Sequence, residues 1–376
     1  MSPSDVTGAT ERDAIDRDVL EWIDQPSWED DENRFDRLAR RIFTFQFKGC
    51  SAYARFCNAR GVHPGSIQNW RDIPAVPTGA FKEIALRCFP EPSTKKTFRT
   101  SGTSTERRGE LHLDTLTLYE ASLWTTLKRF LFPDVPGDDR VTLRILAPAP
   151  DEQPDSSLSH LFGQLMAKIG DANSGYDIVA GELRTSALLR ALERATKTYS
   201  PVALCGTAFS FVHLTDALER EEVPSLELPE GSRIMETGGF KGQSREMSRA
   251  TLYDALESTL GIPRTRIVNQ YGMTELGSQF YDSVLRHPGQ QRRKFAPPWT
   301  RVRFLDPETG RETAAGEPGI IVVHDLANTG SIAAVQTADL GRQIGDGFEV
   351  ESRIPDAEAR GCSIAADTML LEPSGP

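Results

Sequence analysis

The chain has 376 residues and a formal net charge of −11, with 38% hydrophobic and 26% charged residues. This length predicts two or three structural units, and the composition is that of a folded protein, not a disordered one. The negative charge argues against nucleic acid as the main partner, because phosphate backbones select basic surfaces. No apolar run reaches the roughly 18–20 residues of a membrane-spanning helix. The chain begins with acidic residues and does not resemble a secretory signal, so we expect a cytoplasmic protein without a membrane span.

The N-terminal segment is polar and acidic, and residues 1–31 are predicted to form a flexible arm with one short helix. Apolar residues then recur at helical spacing over 32–48 and predict an amphipathic helix. Strand and helix patterns alternate as far as residue 270, which predicts an α/β sheet with crossover connections. Short strands separated by Pro and Gly turns follow and predict a small β-rich unit. We therefore expect an arm (1–31), an α/β core (32–300) and a β-rich subdomain with a C-terminal tail (301–376).

Within the core, the apolar stripe between residues 116 and 130 predicts a helix, and Asp114 is placed to cap its N-terminus. Predicted strands stand at 141–147, 201–206, 232–236 and 266–270.

The five cysteines are scattered and include no Cys-x-x-Cys pair. They therefore predict no zinc site, and reduced thiols are expected. Four of them stand in apolar stretches and are expected in the core, namely Cys50, Cys57, Cys88 and Cys205.

A first candidate site is the segment 100–105, which reads Thr-Ser-Gly-Thr-Ser-Thr. Its hydroxyl groups, glycine and backbone N–H groups can donate hydrogen bonds to phosphate oxygens. Arg107 and Arg108 follow, and guanidinium groups suit phosphate. The segment lacks the Gly-Lys-Ser/Thr ending of a Walker A loop. An ordinary surface turn is the alternative interpretation.

A second candidate site is the segment 271–275, which reads Tyr-Gly-Met-Thr-Glu and directly follows a predicted strand. Ligands of open α/β sheets lie beyond the carboxyl ends of the strands. Glu275 can bind Mg²⁺, which prefers oxygen ligands and bridges substrate phosphates. Thr274 can donate to an α-phosphate oxygen, and Tyr271 can stack on adenine. The alternative is a helix-capping Thr followed by a Glu in the first turn.

Two further segments offer polar or flexible positions after predicted strands. Asp339, in the sequence Gln-Thr-Ala-Asp-Leu-Gly, can accept hydrogen bonds from both ribose hydroxyls, although an Asp in a simple turn is the alternative. Gly238 and Gly239 allow the backbone to approach a planar base or an acyl group, although a plain Gly-Gly turn is the alternative. Lys241 follows them and can face a developing negative charge.

These segments stand in the order found in the adenylate-forming superfamily of acyl ligases and luciferases, which the chain resembles. Residues 100–109 are similar to a shortened form of its phosphate loop, and 271–275 to its aromatic-Gly-x-Thr-Glu motif. Residues 337–339 stand where the superfamily has Thr-Gly-Asp, with Ala338 replacing the glycine. The usual Gly and Lys of the phosphate loop are missing, so that an arginine would supply the positive charge.

Within the superfamily the closest likeness is to the acyl-protein synthetase (LuxE-type) family. It covers roughly residues 30–370 and is carried by the phrases at 73–82, 235–241 and 360–363. The resemblance implies a large N-terminal domain of sheets flanked by helices and a small β-rich C-terminal subdomain. Full-length adenylating enzymes continue into a C-terminal lid with a catalytic lysine, and we expect this lid to be absent here. Lys241, an arginine or a partner chain would then stabilise the transition-state charge.

The resemblance also implies a two-step reaction, in which a fatty acid and ATP give acyl-AMP and pyrophosphate, and the acyl group passes to a cysteine thiol. A partner reductase or carrier protein would accept it next. The implied nucleotide-binding residues are Thr100, Ser101, Gly102, Thr103, Ser104, Gly238, Gly239, Tyr271, Gly272, Thr274 and Asp339. The implied catalytic residues are Cys362, Lys241 and Glu275, and Glu275 would also hold Mg²⁺. Cys362 stands where the family carries its acylated cysteine and beside Arg360, whose charge would lower a thiol pKa. A buried inert cysteine is the alternative.

Two rival functions stay open at this point. The first is an aryl- or acyl-CoA ligase of the phenylacetate-CoA ligase type, which would use a pantetheine thiol as acceptor. The second is a non-catalytic binding protein that retains the fold.

Overall fold

The structure is a computed structural model that describes residues 3–101, 107–137, 139–238, 247–353 and 369. The helices are α1 (Pro3–Ile23), α2 (Glu32–Gly49), α3 (Ser51–Asn58), α4 (Ala80–Glu83), α5 (Thr117–Leu131), α6 (Ser157–Ile169), α7 (Thr185–Thr198), α8 (Ala208–Arg220) and α9 (Arg249–Leu260). The strands are β1 (Val76–Pro77), β2 (Lys96–Arg99), β3 (Glu110–Leu113), β4 (Thr142–Leu146), β5 (Gly175–Tyr176), β6 (Ile178–Val179), β7 (Glu182–Leu183), β8 (Val202–Thr207), β9 (Arg233–Thr237), β10 (Ile267–Tyr271), β11 (Phe280–Tyr281), β12 (Thr300–Leu305), β13 (Gly319–Asp325), β14 (Ala334–Ile344) and β15 (Gly347–Arg353).

The described chain divides into two compact units. The first is formed by the described residues of Met1–Thr125, Met273–Gln279 and Lys294–Pro376, and the second by those of Thr126–Gly272 and Phe280–Arg293. This division differs from the predicted boundaries, because the β-rich C-terminal strands belong to the same unit as the N-terminal third of the chain.

The second unit is built on a six-stranded sheet of order β11-β10-β9-β8-β4-β5. Its strands pair in parallel except for β11, which is antiparallel to β10. The central strands β8 and β9 are buried along nearly their whole length, and their apolar residues lie in a core with helices α7, α8 and α9. Strands buried on both faces read as continuous apolar runs, which is why the sequence revealed them as α/β elements.

Three helices of the second unit begin where short hydroxyl side chains accept from the first free backbone N–H groups. Ser156 caps α6, Thr207 caps α8 in a reciprocal capping box with Ser210, and Ser248 caps α9. Helix α9 ends at Gly261, whose φ of 67° is the left-handed conformation that favours glycine.

The first unit contains a five-stranded sheet in which β14 pairs with β1, β13 and β15, and β12 pairs with β13. All pairs are antiparallel except β1 with β14. Strands β2 and β3 form a separate antiparallel hairpin, with Arg99 opposite Glu110 next to the connecting loop. This hairpin carries the predicted phosphate loop.

Helix α1 occupies most of the segment that the sequence predicted as a flexible arm. Its residues Ile15, Val19 and Ile23 are buried in the first unit, so this part of the chain contributes to the core. Asp114 does not cap α5, because its two carboxylate oxygens accept from the Arg12 guanidinium at 3.0 Å each. Among the described residues, no helix combines the length and apolar character needed to cross a membrane.

Candidate functional site

The predicted phosphate loop begins as the connection of the β2–β3 hairpin in the first unit. The Thr100 N–H donates to the Gly109 carbonyl at 2.9 Å, and the Gly109 N–H donates to Thr100 Oγ1 at 2.9 Å. Arg108 Nε donates to the Thr100 carbonyl at 2.6 Å. The two ends of the loop are therefore held together by three hydrogen bonds. Ser101, the next residue, is exposed.

The two arginines of this loop have different surroundings. Arg107 is two-thirds exposed and pairs with Glu83 at 2.9 Å. Arg108 is half-buried and contacts the loop backbone. Of the two, Arg108 has the position from which a guanidinium group can contribute to a site at the loop.

The carboxylate of Glu275 lies at the base of this loop. A Cβ atom built on Gly109 would be 3.4 Å from Glu275 Oε1 and 3.2 Å from Thr100 Cγ2. Glu275 is 5% exposed, and Thr274 is buried beside it. The structure thus brings together two of the sequence-predicted segments within the first unit.

Residues 272–279 form turns and irregular chain after β10, and no helix begins there. This excludes the interpretation of Thr274 and Glu275 as a cap and first turn of a helix. The irregular backbone places Glu275 in a loop at the end of a strand, which is the position that the sequence predicted.

Three buried polar residues hold the loop that follows Glu275, and sequence reasoning missed all of them. Asn328 Nδ2 donates to the Glu275 carbonyl at 3.0 Å and to the Ile332 carbonyl at 3.0 Å. Ser278 Oγ donates to Asp325 Oδ1 at 2.8 Å. These residues stand singly in the sequence, and the only available signal was that His324 and Asp325 interrupt the apolar run 320–323 of β13.

Asp325 itself is fully buried at the end of β13. Burial raises the pKa of this carboxyl to about 6, although hydrogen bonds from Ser278 and from the backbone of Ala327, Ser278 and Gly277 act to lower it. Its Oδ2 atom is buried without a hydrogen-bond partner in the described part of the chain. A neutral carboxyl tolerates such an environment much better than a charged one.

Asp339 lies in the middle of β14, not after a strand as predicted. Strand β14 extends to Ile344 because β15 pairs with its second half. The Asp339 N–H donates to Thr337 Oγ1 at 3.1 Å, and its side chain is half-buried at an irregularity in the strand register.

The second unit contains the remaining described candidates. Tyr271 ends β10 half-buried, with its ring 6.1 Å from that of Phe280, and Gly272 follows. Gly238 follows β9 with a φ of 84°, and a Cβ atom there would have no neighbour within 4 Å among the described residues. The glycine is therefore required for its backbone conformation and not by a close neighbour.

Glu236 is a buried carboxylate one residue before the end of β9, and sequence reasoning assigned it no role. Its Oε1 atom accepts from the Tyr253 hydroxyl at 2.8 Å and from Asn269 Nδ2 at 2.7 Å, and Arg249 Nε is 3.7 Å away. Burial, with Glu236 as the next cause, raises the pKa of Tyr253 well above its usual range. This network fixes the carboxyl ends of β9 and β10 within the second unit.

Six predicted site residues lie outside the described residues, namely Gly102, Thr103, Ser104, Gly239, Lys241 and Cys362. The other four cysteines are buried, as predicted. Burial raises the pKa of Cys57 and of Cys205 to about 12, and it also raises the pKa of Cys50 and Cys88.

The described residues fit Mg²⁺ as a site completed by a substrate. They contain no group of three or more His, Cys, Asp and Glu side chains that could hold a metal ion by themselves. Mg²⁺ is commonly held by one or two carboxylates together with substrate phosphates. Glu275, beside a hydroxyl-bearing loop, offers the protein part of such a ligand set.

The fold is that of the adenylate-forming ligases. A solved structure of 2-hydroxyisobutyryl-CoA ligase, in an open conformation in complex with 2-HIB-AMP and CoA, matches 89% of this chain and 75% of its own, with a TM-score of 0.62 and 13% identity. At this identity the likeness concerns the fold alone. It confirms the predicted adenylate-forming type of α/β architecture.

The sequence profile of the family "Acyl-protein synthetase, LuxE" matches residues 4–370, and the chain belongs to this family. A long-chain-fatty-acid–luciferin-component ligase of Aliivibrio fischeri is 23% identical over 357 residues, covering 92% of this chain and 90% of the relative. The protein of the same name from Vibrio harveyi is 21% identical over 342 residues, covering 88% and 86%. The predicted family is confirmed, and the chain is a ligase.

Proposed function

We propose that this chain activates a fatty acid with ATP as acyl-AMP and then transfers the acyl group to a cysteine thiol. The observation that carries the proposal is the position of Glu275 Oε1 at the base of the Thr100–Gly109 loop. A carboxylate at a hydroxyl-rich loop is suited to binding a nucleoside triphosphate together with its divalent cation. In the first step a carboxylate oxygen of the acid attacks the α-phosphorus, and the bond to pyrophosphate breaks.

Glu275 would hold Mg²⁺ together with substrate phosphate oxygens. When bound, the ion draws charge from the phosphates and orients them. Thr100, Ser101, Thr103 and Ser104 would donate hydroxyl hydrogen bonds to phosphate oxygens, and Gly102 of the same loop would donate its backbone N–H. Arg108 would replace the missing lysine of the phosphate loop, because it already contacts the loop backbone.

The remaining candidates would recognise the nucleoside and the α-phosphate. Asp339 would accept the ribose hydroxyls, and Thr274 would donate to the α-phosphate. Tyr271 would stack on adenine, while Gly238, Gly239 and Gly272 would let the backbone approach the base. Lys241 would face the charge that develops on the transferred group.

The second step requires a thiolate that can reach the acyl-AMP carbonyl. The thiolate attacks this carbonyl carbon, and AMP leaves with its oxygen. Cys50, Cys57, Cys88 and Cys205 are unsuited, because they are buried and burial keeps their thiols protonated at neutral pH. We therefore assign the thiol to Cys362, which follows Arg360 and Gly361, and expect a cytoplasmic reductase or carrier protein to take the acyl group onward.

The test is incubation with radiolabelled fatty acid, ATP and Mg²⁺, with and without CoA. Label on denatured protein that is released by hydroxylamine supports a protein thioester. Formation of acyl-CoA without labelled protein would instead show a CoA ligase of the phenylacetate-CoA ligase type. Absence of acid-dependent exchange of pyrophosphate into ATP would show a non-catalytic binding protein and overturn the proposal.

A further inference from the structure

The segment 275–278 is anchored from behind by a network of buried hydrogen bonds in the first unit. Asn328 is 1% exposed, and its amide bridges the carbonyl groups of Glu275 and Ile332 at 3.0 Å each. Ser278 is fully buried and donates to Asp325 Oδ1 at 2.8 Å. The two anchors hold the segment at its first and last residue.

The Ser278 hydroxyl has every hydrogen-bonding capacity filled. It donates to Asp325 and accepts from Trp299 Nε1 at 3.1 Å. Its second acceptor position faces Ser122 Oγ at 2.8 Å, and Ser122 also accepts from Trp299 at 3.0 Å. A hydroxyl has one donor and two acceptor positions, so this orientation is fixed by its neighbours.

Gly277 lies between the two anchors at a close approach of backbone to backbone. A Cβ atom at this position would be 3.1 Å from the carbonyl carbon of Ala327 and 3.3 Å from the Asn328 nitrogen. The backbone of 275–278 is therefore in close van der Waals contact with the turn after β13, in addition to its hydrogen bond with Asn328. Small shifts of this turn must be transmitted to Glu275.

We propose that Asn328 and Ser278 are positioning residues that hold the backbone of 275–278 and thereby aim the Glu275 carboxylate at the Thr100–Gly109 loop. The inference rests on the proposed function, in which Glu275 is the protein ligand of the divalent cation. The role of both residues is exerted through the backbone and through Asp325, and neither contacts the nucleotide. Because catalytic groups lose much of their effect when displaced by about 1 Å, the anchors are expected to govern cation binding.

The test measures Mn²⁺ binding to the complex with α,β-methylene-ATP by water-proton relaxation enhancement, which separates protein-bound Mn²⁺ from Mn²⁺ chelated by free nucleotide, together with thermal unfolding. Asn328→Ala and Ser278→Ala should each weaken Mn²⁺ binding about tenfold, because each removes a buried hydrogen bond of the segment. Binding of the analogue without metal should change less than about twofold.

Ser331→Ala is the matched control. Ser331 is an equally buried hydroxyl that donates to the Leu86 carbonyl at 2.6 Å, and this bond involves neither 275–278 nor Asn328. Its loss should lower thermal stability and leave Mn²⁺ affinity within about twofold of the wild type. Equal weakening of Mn²⁺ binding in this variant would show that Asn328 and Ser278 have only a general structural role.

The two possible failures give different results. A wild-type protein that binds no Mn²⁺ with the analogue refutes the assigned role of Glu275 and the proposed function with it. Normal Mn²⁺ binding in the wild type, kept unchanged in a folded Asn328→Ala protein, overturns only the positioning role. If Asn328→Ala does not fold, Ser278→Ala decides by the same criterion.

Discussion

His324 and Asp325 are adjacent residues at the end of β13. The pKa of His324 is lowered and that of Asp325 is raised, so the two residues change the stability of the protein in opposite directions when the pH falls. Burial, with smaller contributions from the nearby Arg303 and Arg71, lowers the pKa of His324 from 6.5 to about 3. Burial raises the pKa of Asp325 from 3.8 to about 6. Replacing each residue by a non-titrating one should therefore change the response to acid in opposite directions.

For His324 the folded state binds fewer protons than the unfolded state between about pH 3 and 6.5. Its contribution to stability is present above the unfolded pKa and is lost as the pH falls. At about pH 4.5, two units below the unfolded pKa, the loss is about 3 kcal/mol. His324→Leu should abolish it, so that this variant loses about 3 kcal/mol less than the wild type on acidification from about pH 7.5.

For Asp325 the folded state holds a proton that the unfolded state has released between about pH 4 and 6. The stability of the neutral form is present below the unfolded pKa of 3.8 and is lost as the pH rises through about 6. Acidification to about pH 4.5 therefore returns about 2 kcal/mol to the wild type. Asp325→Asn should remove this gain and lose about 2 kcal/mol more than the wild type over the same interval.

The assay is urea unfolding at both pH values, followed by tryptophan fluorescence. All five tryptophans belong to the first unit, namely Trp22, Trp28, Trp70, Trp124 and Trp299. Trp70 is in ring contact with His324, with centroids 4.8 Å apart. The signal therefore reports the unit in which both residues are buried. If both variants and the wild type lose the same free energy of unfolding on acidification, burial does not shift the pKa values of His324 and Asp325, and the prediction is wrong.

Four further substitutions test the proposed chemistry. Glu275→Gln should abolish acid-dependent exchange of pyrophosphate into ATP while retaining the tryptophan fluorescence of the folded protein, and residual exchange above about 10% would contradict its role. Arg108→Ala should lower this exchange about tenfold and Arg107→Ala less than about twofold, because Arg108 contacts the described loop backbone whereas Arg107 pairs with Glu83. Equal effects would refute the distinction between the two arginines. Cys362→Ser should retain exchange and lose the protein-bound label, and equal loss of both would show that the thiol assignment is wrong.

The α/β part of the fold was predictable because its strands are buried on both faces. Strand β8 is apolar nearly throughout, and the predicted strand at 201–206 differs from it by one residue at each end. The order of strands in the sheet was not predictable, since no local pattern specifies which strands pair. Asp114 is a single residue for which the sequence likewise did not reveal the partner. Its position favoured a helix cap, but Arg12, distant in sequence, supplies the stronger bidentate partner.

The candidate site was predictable only where a motif carried it. Glu275 and the loop around Thr100 were found because their residue types have a recognised order, and the structure places them together. Asn328 and Ser278 are single polar residues in irregular segments, and their partners are backbone groups far away in the sequence. Such contacts leave no periodic or compositional signal, although they determine where the Glu275 backbone lies.

A thiol that accepts the acyl group must be able to reach the acyl-AMP as well as be reactive, and burial of the cysteines limits this access. Attack on the acyl-AMP carbonyl requires an approach of roughly 3–3.5 Å by a thiolate. Cys57 in α3 and Cys205 in β8 are fully buried, so each would reach a substrate only after local unfolding of its helix or strand. Transfer to such a thiol would be slow and would increase with urea below the unfolding midpoint. Transfer to Cys362 should be fast without urea, and the labelled peptide after proteolysis identifies the acceptor directly.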